Sequence, residues 1–145
     1  MRYYVVVYLI DKDTNEFYYL KKNRPNIDWL HNKLIGWGGE IETFEDKYEC
    51  AIRELKEELS LDIKKEKLSY RGKFHNANNG IVYVMTYYLE ERLKEGKIEN
   101  EGVAYYKSFN HHHKNPAEFP KNNYLIIDKI LNNEDVFDID LRKYE

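Results

Sequence analysis

Residues 38–61 read GGEIETFEDKYECAIRELKEELSL, and this stretch decides the fold. Gly36, Gly38 and Gly39 put three glycines into four positions, which points to backbone approached closely by something. From Thr43 onward the period changes. Phe44, Tyr48, Ala51, Ile52, Leu55 and Leu59 recur at helical spacing, and at about 100° per residue they share one arc roughly 100° wide. The spacing predicts an amphipathic helix with Thr43 as N-cap, Glu45 and Asp46 at its positive end, and an exit near Leu61. Beside the apolar arc stand Glu54, Glu57 and Glu58, at i, i+3 and i+4. Like charges so spaced cost an isolated helix about 0.2–0.5 kcal/mol per pair, and four positions away only Arg53, facing Glu57, offers a positive partner. A solvated acidic face is one reading. A hard divalent cation held by the carboxylates is the other, since such ions prefer carboxylate oxygen and bridge it to substrate phosphates.

Outward from the helix, Arg2–Ile10 and Phe17–Lys21 are rich in Val, Tyr and Ile around the polar turn 11–16, which predicts a strand, turn, strand unit. The segment 23–32 reads as a loop, and 33–41 as a short apolar segment broken by glycines. Leu68–Phe74 and Ile81–Leu89 read as a second hairpin, whose Asn-rich connection 75–80 is long enough to touch a ligand. After a charged stretch, Val103–Phe109 reads as a strand, 110–116 as a His-rich loop, Phe119–Leu131 as a helix and Val136–Leu141 as a short strand. Strands, helix, strands, helix imply an α/β fold: a mixed sheet flanked by helices, in a single domain over 1–145.

Composition narrows the function. Lys and Arg number 23 against 26 Asp and Glu, a net charge of −3, which argues against a generalised nucleic-acid surface and makes a polyanionic substrate depend on a local cation. The longest apolar stretch, near Tyr3–Ile10, falls short of the roughly 20 residues of a membrane span, and no signal-peptide pattern opens the chain. Cys50 is the one cysteine, so an internal disulfide and a multi-thiolate zinc site are excluded. A cytoplasmic protein with no membrane partner is the expectation.

Gly39, five residues, Glu45, seven residues, then Arg53-Glu54-Leu55-Lys56-Glu57-Glu58-Leu59-Ser60-Leu61 resembles the Nudix box, G-x5-E-x7-R-E-U-x-E-E-x-G-U, where U is aliphatic. Ser60 is the one departure, standing where the family has its last glycine, a position that lets the helix end turn tightly. The run from Asn32 through Trp37 to Glu42 is similar to the strand that enters the box in MutT-like members, and Phe119-Pro120 with Asn122 and Asn123 is similar to their base-pocket segment.

The resemblance implies an α/β/α sandwich and hydrolysis of a nucleoside diphosphate linked to another group, with Mg²⁺, for which Mn²⁺ can substitute. Carried over by position, Glu57 and Glu58 are metal ligands, Glu54 is a ligand or the base that activates water, and the Gly38 carbonyl and Glu101 are further ligands. Arg53 orients the neighbouring carboxylates, and Glu45 supports the loop-to-helix geometry. Arg24, Trp37, Gly39, Phe119, Asn122 and Asn123 are the candidate substrate contacts, with Asn able to pair a purine edge and an aromatic able to stack on its face. Structural roles compete for several of them: core filling for Trp37, helix capping for the asparagines, and plain solvation for Arg24. His111, His112 and His113 read as a solvated loop, because consecutive side chains do not easily face one centre, and Cys50 reads as a small core residue. The implied substrate is a nucleoside triphosphate, modified or surplus, cleaved to the monophosphate and pyrophosphate. Ile35, where oxidised-guanine hydrolases often carry a polar residue, weakens a specific assignment to 8-oxo-dGTP. Alternatives are a dinucleoside polyphosphate, ADP-ribose, a nucleotide sugar or capped RNA as substrate, or a catalytically silent ligand sensor. Family members are often monomers or homodimers.

Overall fold

The computed structural model describes residues 1–76 and 80–144. Its centre is β1 (Arg2–Asp11), paired in parallel along its whole length with β6 (Gly80–Leu89). The other edge of β1 is shared. Its first half pairs antiparallel with β4 (Trp37–Glu40), and Leu9 and Ile10 pair with β2 (Phe17–Lys22). Outward from there, β3 (Leu34–Ile35) pairs with β2, β5 (Ser69–His75) with β6, and β8 (Gly102–Lys107) with β2. The edges are β7 (Gly96–Ile98) on β8 and β9 (Phe137–Asp140), parallel to β5. The sheet is mixed, as expected.

Because side chains alternate across a strand, β1 supplies two cores at once. Val5, Val7 and Leu9 pack on one face against Cys50, Ala51 and Leu55 of α1 (Lys47–Leu59). Val6, Tyr8 and Ile10 pack on the other against Ile126, Ile127 and Ile130 of α3 (Tyr124–Leu131). A strand covered on both faces reads as a nearly continuous apolar run, which is how Tyr3–Ile10 reads. Among the described residues no helix is long and apolar enough to cross a membrane.

The box helix begins three residues later than its periodicity suggests. Asp46, not Thr43, is the N-cap: its side chain accepts from the Glu49 amide at 2.8 Å, while Glu49 accepts from the Asp46 amide at 3.0 Å. Upstream, residues 42–45 form a turn in which Phe44 takes φ +72° and is fully exposed, so its place in the apolar arc is a coincidence of spacing. At the other end Ser60 adopts φ +53°, and the amides of Ser60 and Leu61 close the helix onto Lys56 and Leu55. Ser60 thus accepts the left-handed conformation that a glycine takes without strain.

Three further expectations change. The charged stretch contains the edge strand β7. Residues 111–114, expected as loop, form the one-turn helix α2 (His111–Lys114). The second long helix starts at Tyr124 and not at Phe119, because residues 116–118 form a separate tight turn and Asn122 takes φ +65°. The expected ligand-touching connection 75–80 contains residues 77–79, which lie outside the described residues.

Replacing Ser60 with Gly is expected to change stability by less than about 1 kcal/mol, the lost strain offsetting the added chain entropy. Ser60→Val should cost about 1–2 kcal/mol more, because a β-branched residue is poorly tolerated at that φ. Urea unfolding of the two variants measures the difference, and equal stabilities would contradict the helix-end geometry.

Candidate active site

Two glycines bring the box helix against the sheet. Gly38 lies in β4 opposite Val6 with φ +150°, and a Cβ there would come within 2.0 Å of the Val5 carbonyl oxygen. At Gly39 a Cβ would come within 2.4 Å of Glu54 Oε1. The bare backbone at 39 is therefore what lets the Glu54 carboxylate lie down on the strand.

Arg53 organises the acids around it. Its Nη2 and Nε donate to the two oxygens of Glu45, at 2.7 and 3.0 Å, in a bidentate pair. Nη2 also donates to the Glu40 carbonyl at 3.2 Å. Nη1 donates to Glu54 at 3.0 Å and to Glu57 at 3.4 Å, with Glu42 at 3.6 Å. The Arg53 hydrogen bonds hold the Glu45 carboxyl down at about 2, and the same contact raises Arg53. Helical spacing gives Arg53 only Glu57 as a partner; the tighter ties run to Glu45, eight residues back in the loop, and to the adjacent Glu54.

Glu58 is different. Its Oε1 is buried and has no hydrogen-bond partner, and burial pushes the carboxyl up to about 9, with the charges of Glu101 and Glu54 adding to the effect and Lys22 opposing it. Glu101 sits just before β8 and is ion-paired to Lys22 at the end of β2. The Glu58 carboxyl thus feels the charges of both Glu54 and Glu101, while the Glu57 side chain is 58% exposed. A buried Glu58 oxygen without a donor, the charges of two further carboxylates acting on it, and the Glu54 carboxylate resting on the strand that Gly39 clears together fit a hard divalent cation.

Lys22 was not among the expected site residues. Its position is legible in principle: Tyr18 and Leu20 face α1, so period-two alternation carries Lys22 to the same face, and pairing with Gly102 then sets it beside Glu101. That pairing is a tertiary fact, and β2 alone does not reveal it.

The candidate substrate contacts separate. Trp37 is completely buried, stacked on Tyr18 at 5.4 Å with its indole N–H donated to the Tyr18 carbonyl at 2.8 Å, so it is a core residue and not part of a pocket wall. Asn123 occupies the N-cap position of α3 without a side-chain capping bond; its amide is buried and donates to the Tyr8 hydroxyl at 3.2 Å. Phe119 packs edge-on to Tyr19 at 5.2 Å, across the sheet from the carboxylates. Phe119 and Asn122 still line a cavity of about 310 Å³. The Asn122 amide donates to the Tyr144 carbonyl at 3.3 Å. Arg24 is exposed in the loop after β2. Cys50 is buried under α1, as expected.

A mixed sheet carrying an arginine-ordered carboxylate cluster on a glycine-cleared helix defines a class: hydrolases of pyrophosphate bonds. The chain belongs to the Nudix family, whose NUDIX domain model matches residues 1–129. No curated protein matches the sequence. Among solved structures, the mutator MutT protein of Bacillus halodurans aligns with TM-score 0.70 and 16% identity, over 95% of this chain and 87% of that one. The dihydroneopterin triphosphate pyrophosphohydrolase of E. coli aligns with TM-score 0.65 and 16% identity, over 90% and 95%. A bifunctional NMN adenylyltransferase/ADP ribose pyrophosphatase of Francisella tularensis, solved with AMP and a Mn ion, aligns with TM-score 0.66 and 17% identity, over 91% and 41%. At these identities the likenesses establish the shared fold.

The raised Glu58 carboxyl makes a prediction for the metal-free protein. A group protonated up to about pH 9 when folded, but only to about 4.5 when unfolded, makes stability fall as pH rises through that window. Glu58→Gln should flatten the fall and raise the melting temperature at pH 8. Melts from pH 5 to 9 in chelator test this, and an unchanged slope would contradict the buried, crowded placement.

Proposed function

We propose that the protein is a Mg²⁺-dependent nucleoside triphosphate pyrophosphohydrolase, acting within one domain and releasing a nucleoside monophosphate and pyrophosphate, with Mn²⁺ able to substitute. The observation that carries this is the buried, unpartnered Glu58 oxygen beside Glu54 and Glu101. Glu54, Glu57, Glu58, Glu101 and the Gly38 carbonyl would hold the ion. Bound there, a divalent cation supplies neutralisation of the pyrophosphate oxygens and a more acidic water.

The chain's own groups do the rest. Arg53 fixes the Glu54 carboxylate through Nη1, leaving Glu54 positioned to accept the proton of the attacking water. Glu45 anchors Arg53 from the loop, so the helix carboxylates are set before substrate arrives. Lys22 and Arg24, at and just beyond the end of β2, place positive charge where a net acidic chain needs it for a polyphosphate. From the same end the backbone runs back through Lys33, whose ammonium donates to the Ala117 carbonyl at 2.7 Å. Ala117 lines the cavity of Phe119 and Asn122, which we assign to the nucleoside. The lone buried thiol agrees with a cytoplasmic setting.

A panel of nucleoside triphosphates, dihydroneopterin triphosphate, ADP-ribose and dinucleoside polyphosphates, assayed with Mg²⁺ and scored by product, should show fastest turnover of a nucleoside triphosphate to monophosphate and pyrophosphate. Glu57→Gln should lower that rate by at least about 100-fold with the fold intact. Preference for another panel member would overturn the substrate class, and full activity of Glu57→Gln would overturn the site.

A further inference from the structure

On the far face of the sheet, away from the carboxylate cluster, two consecutive histidines converge on one oxygen. His112 Nε2 and His113 Nε2 each lie 2.8 Å from Asp128 Oδ1. Side chains of neighbouring residues on a helix diverge by about 100°, so this convergence goes against the geometry of α2 and contradicts the solvated-loop reading. The imidazole of His112 is fully buried, and its Nδ1 has no hydrogen-bond partner. Its polar contact is therefore made at the Nε2 end alone. His111 takes no part: it bonds Glu118 at 3.2 Å and Asn115 at 3.2 Å.

We propose that His112, His113 and Asp128 form a second metal site, selective for a borderline transition ion of the Zn²⁺ type and independent of the pyrophosphatase reading. Among the described residues these three are the one set of His, Cys, Asp or Glu whose ligand atoms all lie within 4.8 Å of one another. Two imidazoles and one carboxylate are a nitrogen-rich set, suited to Zn²⁺ and poorly suited to Mg²⁺, whose oxygen ligands lie across the sheet. Two neutral rings and one carboxylate also carry a net charge of −1, complementary to a dication.

Distances allow the ion to enter. Tetrahedral Zn²⁺ with ligand bonds of about 2.1 Å holds its donors about 3.4 Å apart. The present 2.8 Å contacts to Asp128 must therefore open by about 0.6 Å, and the two imidazole nitrogens, within 4.8 Å of each other, must close by up to about 1.4 Å. The Asp128 and His113 side chains are 29% and 58% exposed and can move, whereas His112 is the fixed corner. Three protein ligands leave a fourth position for water. The ion would clip α2 to α3, and the His112 ring stands edge-on to Phe119 at 6.4 Å, so the clip would brace one wall of the Phe119 cavity.

Chelator-stripped full-length protein titrated with Zn²⁺ in excess Mg²⁺, which fills the carboxylate cluster, should bind one equivalent of Zn²⁺ with Kd below about 10 µM. Co²⁺ in its place should give the intense visible absorption of a tetrahedral, nitrogen-ligated ion. His113→Ala, which removes an exposed ligand and leaves the core intact, and Asp128→Asn should each weaken Zn²⁺ binding at least tenfold and abolish the tetrahedral Co²⁺ spectrum. Glu57→Gln should change neither. Tight Zn²⁺ binding that is indifferent to both His113→Ala and Asp128→Asn, a purely octahedral Co²⁺ spectrum, or no binding by a natively melting wild-type protein would overturn the proposal.

Discussion

Glu58 is held out of water beside two other carboxylates, and that arrangement constrains everything around it. Without a cation the group resolves the conflict by keeping its proton, at the cost of an oxygen left without a donor. In the function proposed here, a cation would turn the same crowding into a ligand set. The surrounding structure fixes Glu54: Gly39 has no side chain to push it off the strand, and Arg53 holds it while being held itself by Glu45. Lys22 tethers Glu101 from the neighbouring strand.

The sheet supplies the rigidity this requires. Val5, Val7 and Leu9 fix α1 from beneath, and the split edge of β1 delivers β4, with its glycines, and β2, with Lys22, to the same face. Repulsion among the carboxylates is opposed by the packing of α1 on the buried strands and by the Arg53–Glu54 and Lys22–Glu101 pairs, whereas pairing at the exposed Glu57 contributes little. On the opposite face β1 holds α3 and, through it, the histidine cluster, so one strand separates the two proposed metal sites.

How far the sequence can be read follows from which forces are local. The box helix is legible because its apolar spacing, its acidic patch and the glycines before it each act within one segment. Its true start is also written locally, in Asp46 and Glu49, but the coincidental spacing of Phe44 masks it. The Arg53–Glu45 pair spans a loop whose turn no periodicity describes, and the Lys22–Glu101 pair exists only once β2 and β8 are in register. Trp37 and Asn123 were open to two readings because burial decides between them, and burial is set by partners as distant in sequence as Tyr18 and Tyr8. The convergence of His112 and His113 depends on Asp128 in another helix, which a rule about adjacent residues does not include.

The most direct measurement is an anomalous difference map from crystals grown with Mn²⁺ and a non-hydrolysable nucleoside triphosphate analogue. Peaks within bonding distance of the Glu54, Glu58 and Glu101 oxygens, with the analogue's phosphates completing the coordination, are the predicted result. Phosphates bound elsewhere, with Glu58 still buried and unligated, would contradict the account.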